Sequence, residues 1–262
     1  NQYLNIKEEI DNAIKSTVNS TEFIGGENIE KFKLLLKEYL DVKYVIPCAN
    51  GTDALQISLM ALNLNQGDEI IVPAFTYVST AEVIGLLGLK PIIIDVEYNN
   101  FNISINNIEE LITDRTKAII PVHLFGQSSP MEEILNFASK YNLFVIEDNA
   151  QALGAEYIFN DGKRQKLGTI GDIGCTSFFP SKNLGCFGDG GAIFTNNQVL
   201  GEKLMMICNH GQSKKYYHDI IGCNSRLDSI QAAILNVKLR YLDRYNEKRR
   251  EAASKYNFDL KN

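Results

Sequence analysis

The chain of 262 residues is 45% hydrophobic, which is ample for one large domain or two small ones around a buried core. Its 26 basic and 32 acidic residues give a formal net charge of −6 and form no basic stripe, so we expect no nucleic-acid partner. Runs of about 18 apolar residues and an export signal are both lacking, which predicts a cytoplasmic protein without a membrane span.

The five cysteines show no Cys-x-x-Cys pairing and lie mostly in apolar surroundings. This pattern favours reduced, buried thiols over disulfides or a zinc site, so we expect no bound metal.

Two amphipathic helices are predicted at the start of the chain, because apolar residues recur there at near-helical spacing. The first carries Leu4, Ile10, Ile14 and Val18. The second follows the Gly25-Gly26 break and runs over residues 29–40.

Strands and helices alternate from residue 44 onward. Strands are predicted at 44–47, 69–72, 91–96, 117–122 and 143–146, and helices at 52–62, 78–87, 105–112 and 131–141. This alternation predicts an α/β fold with a mostly parallel mixed sheet between two helical layers. Apolar runs such as Ile92-Ile93-Ile94 and Phe144-Val145-Ile146 predict strands that are buried on both faces.

Three features are predicted in the last third of the chain. Residues 173–179 form an apolar run that predicts another buried strand. A glycine-rich turn follows, with Gly185, Gly188, Gly190 and Gly191. The final element is predicted as one long helix over residues 228–256.

Polar residues follow the predicted strands at their carboxyl ends, where open parallel sheets bind ligands. Asn50-Gly51-Thr52-Asp53 opens a helix, which favours phosphate binding through free N–H groups and the helix dipole, although an ordinary helix cap explains the same residues. Pro73-Ala74-Phe75-Thr76-Tyr77 offers an aromatic face after the next strand. Glu147-Asp148-Asn149-Ala150-Gln151 puts a carboxylate at a strand tip.

Lys182 follows the apolar 173–179 run and lies among apolar and glycine residues. Loss of solvation there would lower the pKa of its ammonium, and a neutral amine can attack a carbonyl carbon to form a Schiff base. The alternative is a surface lysine that keeps its head in water. A P-loop is excluded because Asn183 follows the lysine, and the glycines lack the dinucleotide-binding spacing.

One ligand, pyridoxal 5′-phosphate (PLP), accounts for all of these features. Gly51, Thr52 and Ser177 suit its phosphate, and Tyr77 suits its flat ring. Asp148 suits the ring nitrogen, and Lys182 suits the aldehyde. A carboxylate near the pyridine nitrogen keeps that nitrogen protonated, so that the ring withdraws electrons from the reacting carbon. The lysine holds the cofactor and, once displaced by an amine, moves a proton as a general base and acid.

The chain resembles the DegT-like sugar-nucleotide aminotransferases of PLP fold type I over nearly its whole length. The resemblance rests on several motifs: Asn50-Gly51-Thr52-Asp53-Ala54-Leu55, Pro73-Ala74-Phe75-Thr76-Tyr77, Pro121-Val122-His123-Leu124-Phe125-Gly126-Gln127, Glu147-Asp148-x-Ala150-Gln151, Ser177-Phe178-x-x-x-Lys182, Gly188-Asp189-Gly190-Gly191-Ala192, Asn209-His210-Gly211 and Gly222-x-Asn224-x-Arg226.

This resemblance implies a role for each cofactor residue. Lys182 would carry the covalent bond to the cofactor, Asp148 would meet the pyridine nitrogen, and Gln151 would approach the ring hydroxyl. Tyr77 would stack on the ring. The phosphate would be held by Gly51, Thr52, Asp53 and Ser177.

The resemblance also implies a homodimer in which Asn224 reaches the phosphate of the neighbouring subunit. Arg226 would pair with a substrate carboxylate, and His210 and Tyr216 lie in a predicted substrate-side loop. His123 is expected to support the site from behind, because the lysine already performs the proton transfers.

Residues 1–240 are predicted to form the PLP-binding large domain with its N-terminal helices. Residues 241–262 would begin a helix that leads to a small C-terminal domain, which the family builds beyond this point, so the chain is expected to be a fragment. Cofactor binding would then depend less on the small domain than turnover does.

The predicted activity is transfer of an amino group, from glutamate, to a keto carbon of a nucleotide-linked sugar for amino-sugar and surface polysaccharide biosynthesis. Carbon 3 of a UDP-linked sugar, such as a uronic acid, is favoured. The alternatives are a dTDP-linked keto-6-deoxy sugar and a non-catalytic PLP-binding protein. PLP sugar dehydratases of the same family lack the lysine, so Lys182 counts against that activity.

Overall fold

The computed structural model describes residues 2–106 and 108–260. Its helices are α1 (Gln2–Asn5), α2 (Lys7–Ser20), α3 (Glu27–Leu40), α4 (Gly51–Ala61), α5 (Ser79–Leu86), α6 (Met131–Tyr141), α7 (Gln198–Cys208), α8 (Ser229–Leu239) and α9 (Leu242–Asp259). Its strands are β1 (Tyr44–Cys48), β2 (Glu69–Pro73), β3 (Lys90–Ile94), β4 (Thr116–Ile119), β5 (Phe144–Asp148), β6 (Glu156–Ile158), β7 (Arg164–Lys166), β8 (Ile173–Ser177), β9 (Gly191–Thr195), β10 (Gln212–Lys214) and β11 (Tyr217–His218).

Seven strands form the central sheet, in the order β1-β9-β8-β5-β4-β2-β3. Strand β9 pairs antiparallel with β1 and β8, and every other pair in this sheet is parallel. Six strands therefore run in one direction and end at one edge, and only β9 begins there. The predicted α/β fold with a mostly parallel mixed sheet is confirmed.

Helices cover both faces of the sheet because successive strand residues point to opposite sides. Ile193 of β9 packs with α4, α5 and α7, whereas its neighbour Phe194 packs with α3 and α8. Helix α6 covers β2, β4 and β5 on the second face. Helix α2 lies outside α8, against which Ile6 and Ile10 are buried.

All five cysteines are free thiols and four of them are buried, as the sequence predicted. Burial raises the pKa of Cys48 and Cys175, which keeps these thiols protonated. None of the described helices is long and apolar enough to cross a bilayer.

The prediction that Ile92-Ile93-Ile94 is buried on both faces was wrong. Strand β3 is the last strand of the sheet, so it has a neighbouring strand on one side only, and Ile93 is 59% exposed. Phe144, at the start of β5, is also partly exposed, whereas Val145 and Ile146 are buried as predicted.

Two predicted helices are corrected. Among the described residues of 105–112, helical structure is limited to a short 3₁₀ turn, Ile108–Leu111, because the Thr113 and Thr116 hydroxyls accept nearby backbone N–H groups and end it. The long helix over residues 228–256 is divided at Arg240 and Tyr241 into α8 and α9. Both of these residues bind Glu9 of α2, which holds the break in place.

Candidate active site

A cavity of about 610 Å³ opens where β1, β2, β5 and β8 end. Eight of the nine predicted cofactor-binding residues line it: Gly51, Thr52, Asp53, Tyr77, Asp148, Gln151, Ser177 and Lys182. They come from sequence positions more than 130 apart, and the common direction of the strands brings them together.

The first turn of α4 forms one end of the cavity. The Asn50 side chain accepts the N–H of Asp53 at 2.8 Å, and the Asn50 carbonyl accepts the N–H of Ala54 at 3.1 Å. The N–H groups of Gly51 and Thr52 have no intrahelical acceptor, because they precede the first helical hydrogen bond. Asn50 is thus an ordinary helix cap, and the two remaining donors suit an anion.

Gly51 follows the end of β1 and Ser177 ends β8, and both of these strands pair with β9. Gly191 of β9 is paired with Cys48 of β1 on one side and with Ser177 of β8 on the other. A Cβ on Gly51 would lie 2.7 Å from the Ser177 Cβ, so only glycine fits. Ser177 Oγ accepts the N–H of Phe179 at 3.2 Å, and its own hydrogen can be donated to an anion.

Asp148 is the last residue of β5 and is only 6% exposed. Its carboxylate accepts the Thr80 hydroxyl at 3.2 Å and the Ala150 N–H at 3.1 Å. Burial raises the pKa of this carboxyl, while those two donors and the charge of Lys182 oppose the rise. A buried carboxylate of this kind gains most from a cationic partner, such as a protonated ring nitrogen.

Lys182 lies on a tight loop that follows β8. Its own N–H donates to the Phe179 carbonyl at 2.8 Å, and the Cys186 N–H donates to the Phe178 carbonyl at 2.8 Å, which closes the loop. Burial lowers the pKa of the Lys182 ammonium, and the nearby Asp148 opposes this. Within the part of the chain that the structure describes, the Lys182 amine has no hydrogen bond or ion pair.

Glu147 supports the site from behind, a role that the sequence analysis did not assign. Its buried carboxylate accepts the N–H groups of Gly168, Ile170 and Gly171 at 2.8, 2.6 and 2.7 Å. It also accepts His123 Nε2 at 2.9 Å, since His123 Nδ1 already accepts the Ser129 N–H. His123 is fully buried and does not line the cavity, in agreement with its predicted supporting position.

Two more buried residues hold the site and were also missed. Ser225 donates to Asp53 Oδ2 at 2.6 Å and accepts the Ala49 N–H at 3.0 Å, so it fixes the first turn of α4. Lys238 of α8 donates to the Gly185 carbonyl at the end of the Lys182 loop. Glu147 and Lys238 could have been found from the sequence, because each is a charged residue within an apolar run. No sequence pattern pointed to Ser225.

Four predicted residues lie outside this cavity: Asn224, Arg226, His210 and Tyr216. Asn224 and Arg226 are exposed on either side of the buried Ser225. Asn224 pairs through its backbone with Asn209. Tyr216 is 78% exposed in the turn between β10 and β11.

Comparison with known proteins identifies the family to which the chain belongs. The DegT/DnrJ/EryC1/StrS aminotransferase family matches residues 4–262. The chain is 46% identical over 261 residues to the UDP-2-acetamido-2-deoxy-3-oxo-D-glucuronate aminotransferase of Pseudomonas aeruginosa, covering 100% of this chain and 71% of that protein. It is also 46% identical over 256 residues to the dTDP-3-amino-3,6-dideoxy-alpha-D-galactopyranose transaminase of Aneurinibacillus thermoaerophilus, covering 98% of this chain and 69% of that protein.

Two solved structures share the fold. A DegT DnrJ EryC1 StrS aminotransferase from Brucella abortus aligns with a TM-score of 0.94 at 40% identity, over 99% of this chain and 70% of that chain. NtdA from Bacillus subtilis, solved with bound cofactor PMP, aligns with a TM-score of 0.90 at 37% identity, over 98% of this chain and 57% of that chain.

Proposed function

Since the chain belongs to the DegT/DnrJ/EryC1/StrS aminotransferase family and is a PLP-dependent sugar aminotransferase, we propose that it moves an amino group from glutamate to carbon 3 of a UDP-linked keto sugar. The observation that carries this proposal is the unpartnered Lys182 amine in one cavity with buried Asp148 and the open first turn of α4. The product would serve amino-sugar and surface polysaccharide biosynthesis.

The residues around the cavity fit the cofactor. Gly51, Thr52 and Ser177 would hold its phosphate, and the missing side chain of Gly51 lets Ser177 lie against the first turn of α4. The Asp53 N–H and carboxylate are bound to Asn50 and Ser225, so we infer that Asp53 contributes by shaping the turn. PLP supplies an aldehyde that accepts amines and a ring that withdraws electrons.

Three side chains would orient the ring. Asp148 would hold a proton on the ring nitrogen, for which its burial and fixed hydrogen bonds are suited. Gln151 would lie at the ring hydroxyl, and its Oε1 accepts the Phe125 N–H at 2.7 Å, which fixes the amide. Tyr77 is 70% exposed and free to cover a flat ring.

Lys182 would act twice. Its lowered pKa leaves a larger neutral fraction than an exposed lysine has, so the amine would be able to bond to the cofactor's aldehyde carbon, with the aldehyde oxygen released as water. After a substrate amine displaces it, Lys182 Nζ would move a proton between the substrate carbon and the cofactor carbon. The loop closed by Phe178 and Cys186 would keep the amine within reach of both carbons.

The choice of a UDP-linked uronic acid depends on Arg226. The similar protein from P. aeruginosa is named for a UDP-linked sugar and the one from A. thermoaerophilus for a dTDP-linked sugar, and both names place the reaction at carbon 3. Both are 46% identical to this chain, so sequence identity alone does not select the nucleotide. Arg226 is exposed and has no described partner, and its planar fork suits a carboxylate. We therefore favour the uronic acid, with a dTDP-linked keto-6-deoxy sugar as the second candidate.

We further propose a homodimer, because Asn224 and Arg226 are exposed and do not line the cavity of their own chain. A two-fold axis would let the same segment of each chain enter the other chain's site. The exposed Tyr216 and His210 would then stand at the substrate entrance between subunits.

The test is to follow the visible absorbance of the PLP-loaded protein in two half-reactions. Glutamate should remove the aldehyde band, and a 3-keto UDP-uronic acid should restore it faster than a 4-keto dTDP-6-deoxy sugar does. A band that persists in glutamate would favour a non-catalytic PLP-binding protein. Preference for the 4-keto dTDP sugar would contradict the UDP and carbon-3 assignment but leave the aminotransferase intact.

A further inference from the structure

A second cavity, of about 540 Å³, borders the first around Lys182. Both cavities are lined by Gln151, Ser181 and Lys182, so a molecule that reacts at Lys182 can extend into either one. The far wall of the second cavity is helix α9, which contributes Asn246, Arg249, Arg250 and Ala253.

The second cavity is cationic, although the whole chain carries a net charge of −6. Among the described residues that line it, Lys182, Arg249 and Arg250 are basic and none is a carboxylate. The first cavity differs, because Asp53, Asp148 and Asp189 line it. A cleft lined by one sign of charge concentrates ions of the opposite sign.

The two arginines are not equivalent. Arg250 Nε donates to Glu247 one turn earlier at 2.9 Å, and its Nη2 binds the same oxygen, so this guanidinium is already paired. Arg249 makes no hydrogen bond or ion pair with any residue in 2–106 or 108–260. Its planar set of donors is therefore free to bind a carboxylate or phosphate.

Buried amides hold α9 against the Lys182 loop. Asn183 Nδ2 donates to Asn246 Oδ1 at 2.7 Å, and Asn246 Nδ2 donates to the Leu153 carbonyl at 3.1 Å. Asn246 is 7% exposed. Arg249 lies three residues further along the same face of α9, so these bonds fix the position of its backbone beside the cavity.

We propose that the second cavity is an anion subsite, in which Arg249 binds a carboxylate or phosphate group of a molecule that reacts at Lys182. This inference rests on the proposed function, because both reactants of that reaction carry such groups: the donor glutamate has two carboxylates and a UDP-linked sugar has a diphosphate. The shared chemistry is an anionic oxygen group that a planar guanidinium binds through two parallel hydrogen bonds.

The test compares Arg249→Gln with Arg244→Gln in the PLP-loaded protein. Arg244 is exposed on the same helix and does not line the cavity, so it controls for loss of one positive charge. The probes are glutarate, which has the two carboxylates of glutamate but no amine, and UDP. Calorimetry should show that Arg249→Gln raises the Kd of at least one probe roughly tenfold or more, while Arg244→Gln changes neither.

The two probes distinguish the sources of the anion. Weaker binding of glutarate alone assigns the subsite to the donor carboxylate, weaker binding of UDP alone assigns it to the diphosphate, and weaker binding of both shows that the reactants share it. Unchanged affinity for both probes, or an equal loss in Arg244→Gln, overturns the proposal. Arg249→Lys should recover only part of the affinity, because an ammonium lacks the planar fork.

The test also separates this inference from the proposed function. The absorbance change on adding glutamate is measured on the unsubstituted protein and does not involve Arg249. If that change is absent while Arg249→Gln still weakens UDP binding, the amino-transfer proposal fails and the anion subsite stands. If glutamate reacts normally and both probes bind as before, only the subsite fails.

Discussion

The cavity at the carboxyl edge of the sheet and the segment of residues 209–228 hold their candidate residues in different ways. Asp148 and Ser177 are fixed at strand ends, and Lys182 lies on a loop that its own backbone closes. In residues 209–228, by contrast, Asn224, Arg226 and Tyr216 are exposed. The common direction of the strands brings most of the cavity residues together, whereas the exposed side chains of the segment have a role only in the dimer that we propose.

Ser225 connects the two regions. It is buried between the exposed Asn224 and Arg226 and donates to Asp53 on the first turn of α4. Its backbone N–H donates to the Cys208 carbonyl at 3.1 Å, which anchors the segment to the end of α7. The segment is thus tied to the first turn of α4 in its own chain, while Asn224 and Arg226 remain exposed.

Lys182→Ala tests the cavity with the largest expected effect. We expect loss of the covalent bond to the cofactor and of all measurable amino transfer, since Lys182 carries the only side-chain amine among the described residues that line the cavity. Absorbance spectra and the glutamate half-reaction would show this. Substantial residual transfer by the variant would mean that another base serves the reaction.

Asp148→Asn should leave PLP bound but slow amino transfer by several orders of magnitude, because an amide does not hold the ring nitrogen protonated. Asp189→Asn is the matched control, since Asp189 lines the same cavity but is exposed. Stopped-flow measurement of the glutamate half-reaction would compare the two variants. Equal rates of the half-reaction in the two variants would contradict a special role for the buried Asp148 carboxylate.

A mixing experiment tests whether the 209–228 segment serves the neighbouring subunit. Lys182→Ala chains and Asn224→Ala chains would each be inactive or nearly so, but a mixed dimer would contain one site with both residues intact. Activity should therefore reappear on mixing under conditions that allow subunit exchange. If mixed dimers form without any return of activity, or if an active monomer is found, Asn224 acts in its own subunit or not at all.

Ser225→Ala probes the link between the two regions and has the smallest expected effect. It would leave the Ala49 N–H and the Asp53 carboxylate without their partner, at a cost of about 1–3 kcal/mol in the free energy of unfolding, reduced by the partial exposure of Asp53. A fall of a few degrees in Tm is expected. The exposed Ser213→Ala is the control, and an equal Tm in both variants would show that the link contributes nothing.

The sequence predicted most of the cavity because strand ends can be read from apolar runs and turn residues. Once β1, β2, β5 and β8 were placed in a parallel sheet, the residues after them had to share one edge. The reversed strand β9 was not predicted, although its short Ala192-Ile193-Phe194 run is apolar. Its place between β1 and β8 depends on pairing between residues about 150 positions apart.

Supporting contacts could not be predicted for a similar reason. Ser225 and Asp53 are 172 positions apart, and Lys238 and Gly185 are 53 apart, so no local pattern joins either pair. The cationic wall of the second cavity was also missed. Arg249 belongs to a polar helix that resembles any solvated helix until its position beside Lys182 is known.

The most direct test of the account is to reduce the PLP-loaded protein with borohydride and map the labelled peptide. Lys203 and Lys238 are the informative competitors, because burial lowers the pKa of both ammonium groups as it does for Lys182. Their amines are bound to main-chain carbonyls, whereas Lys182 lines the same cavity as Asp148 and the first turn of α4. We expect the pyridoxyl group on Lys182 alone. A label on Lys203, Lys238 or any other lysine would contradict the assignment of this cavity as the active site.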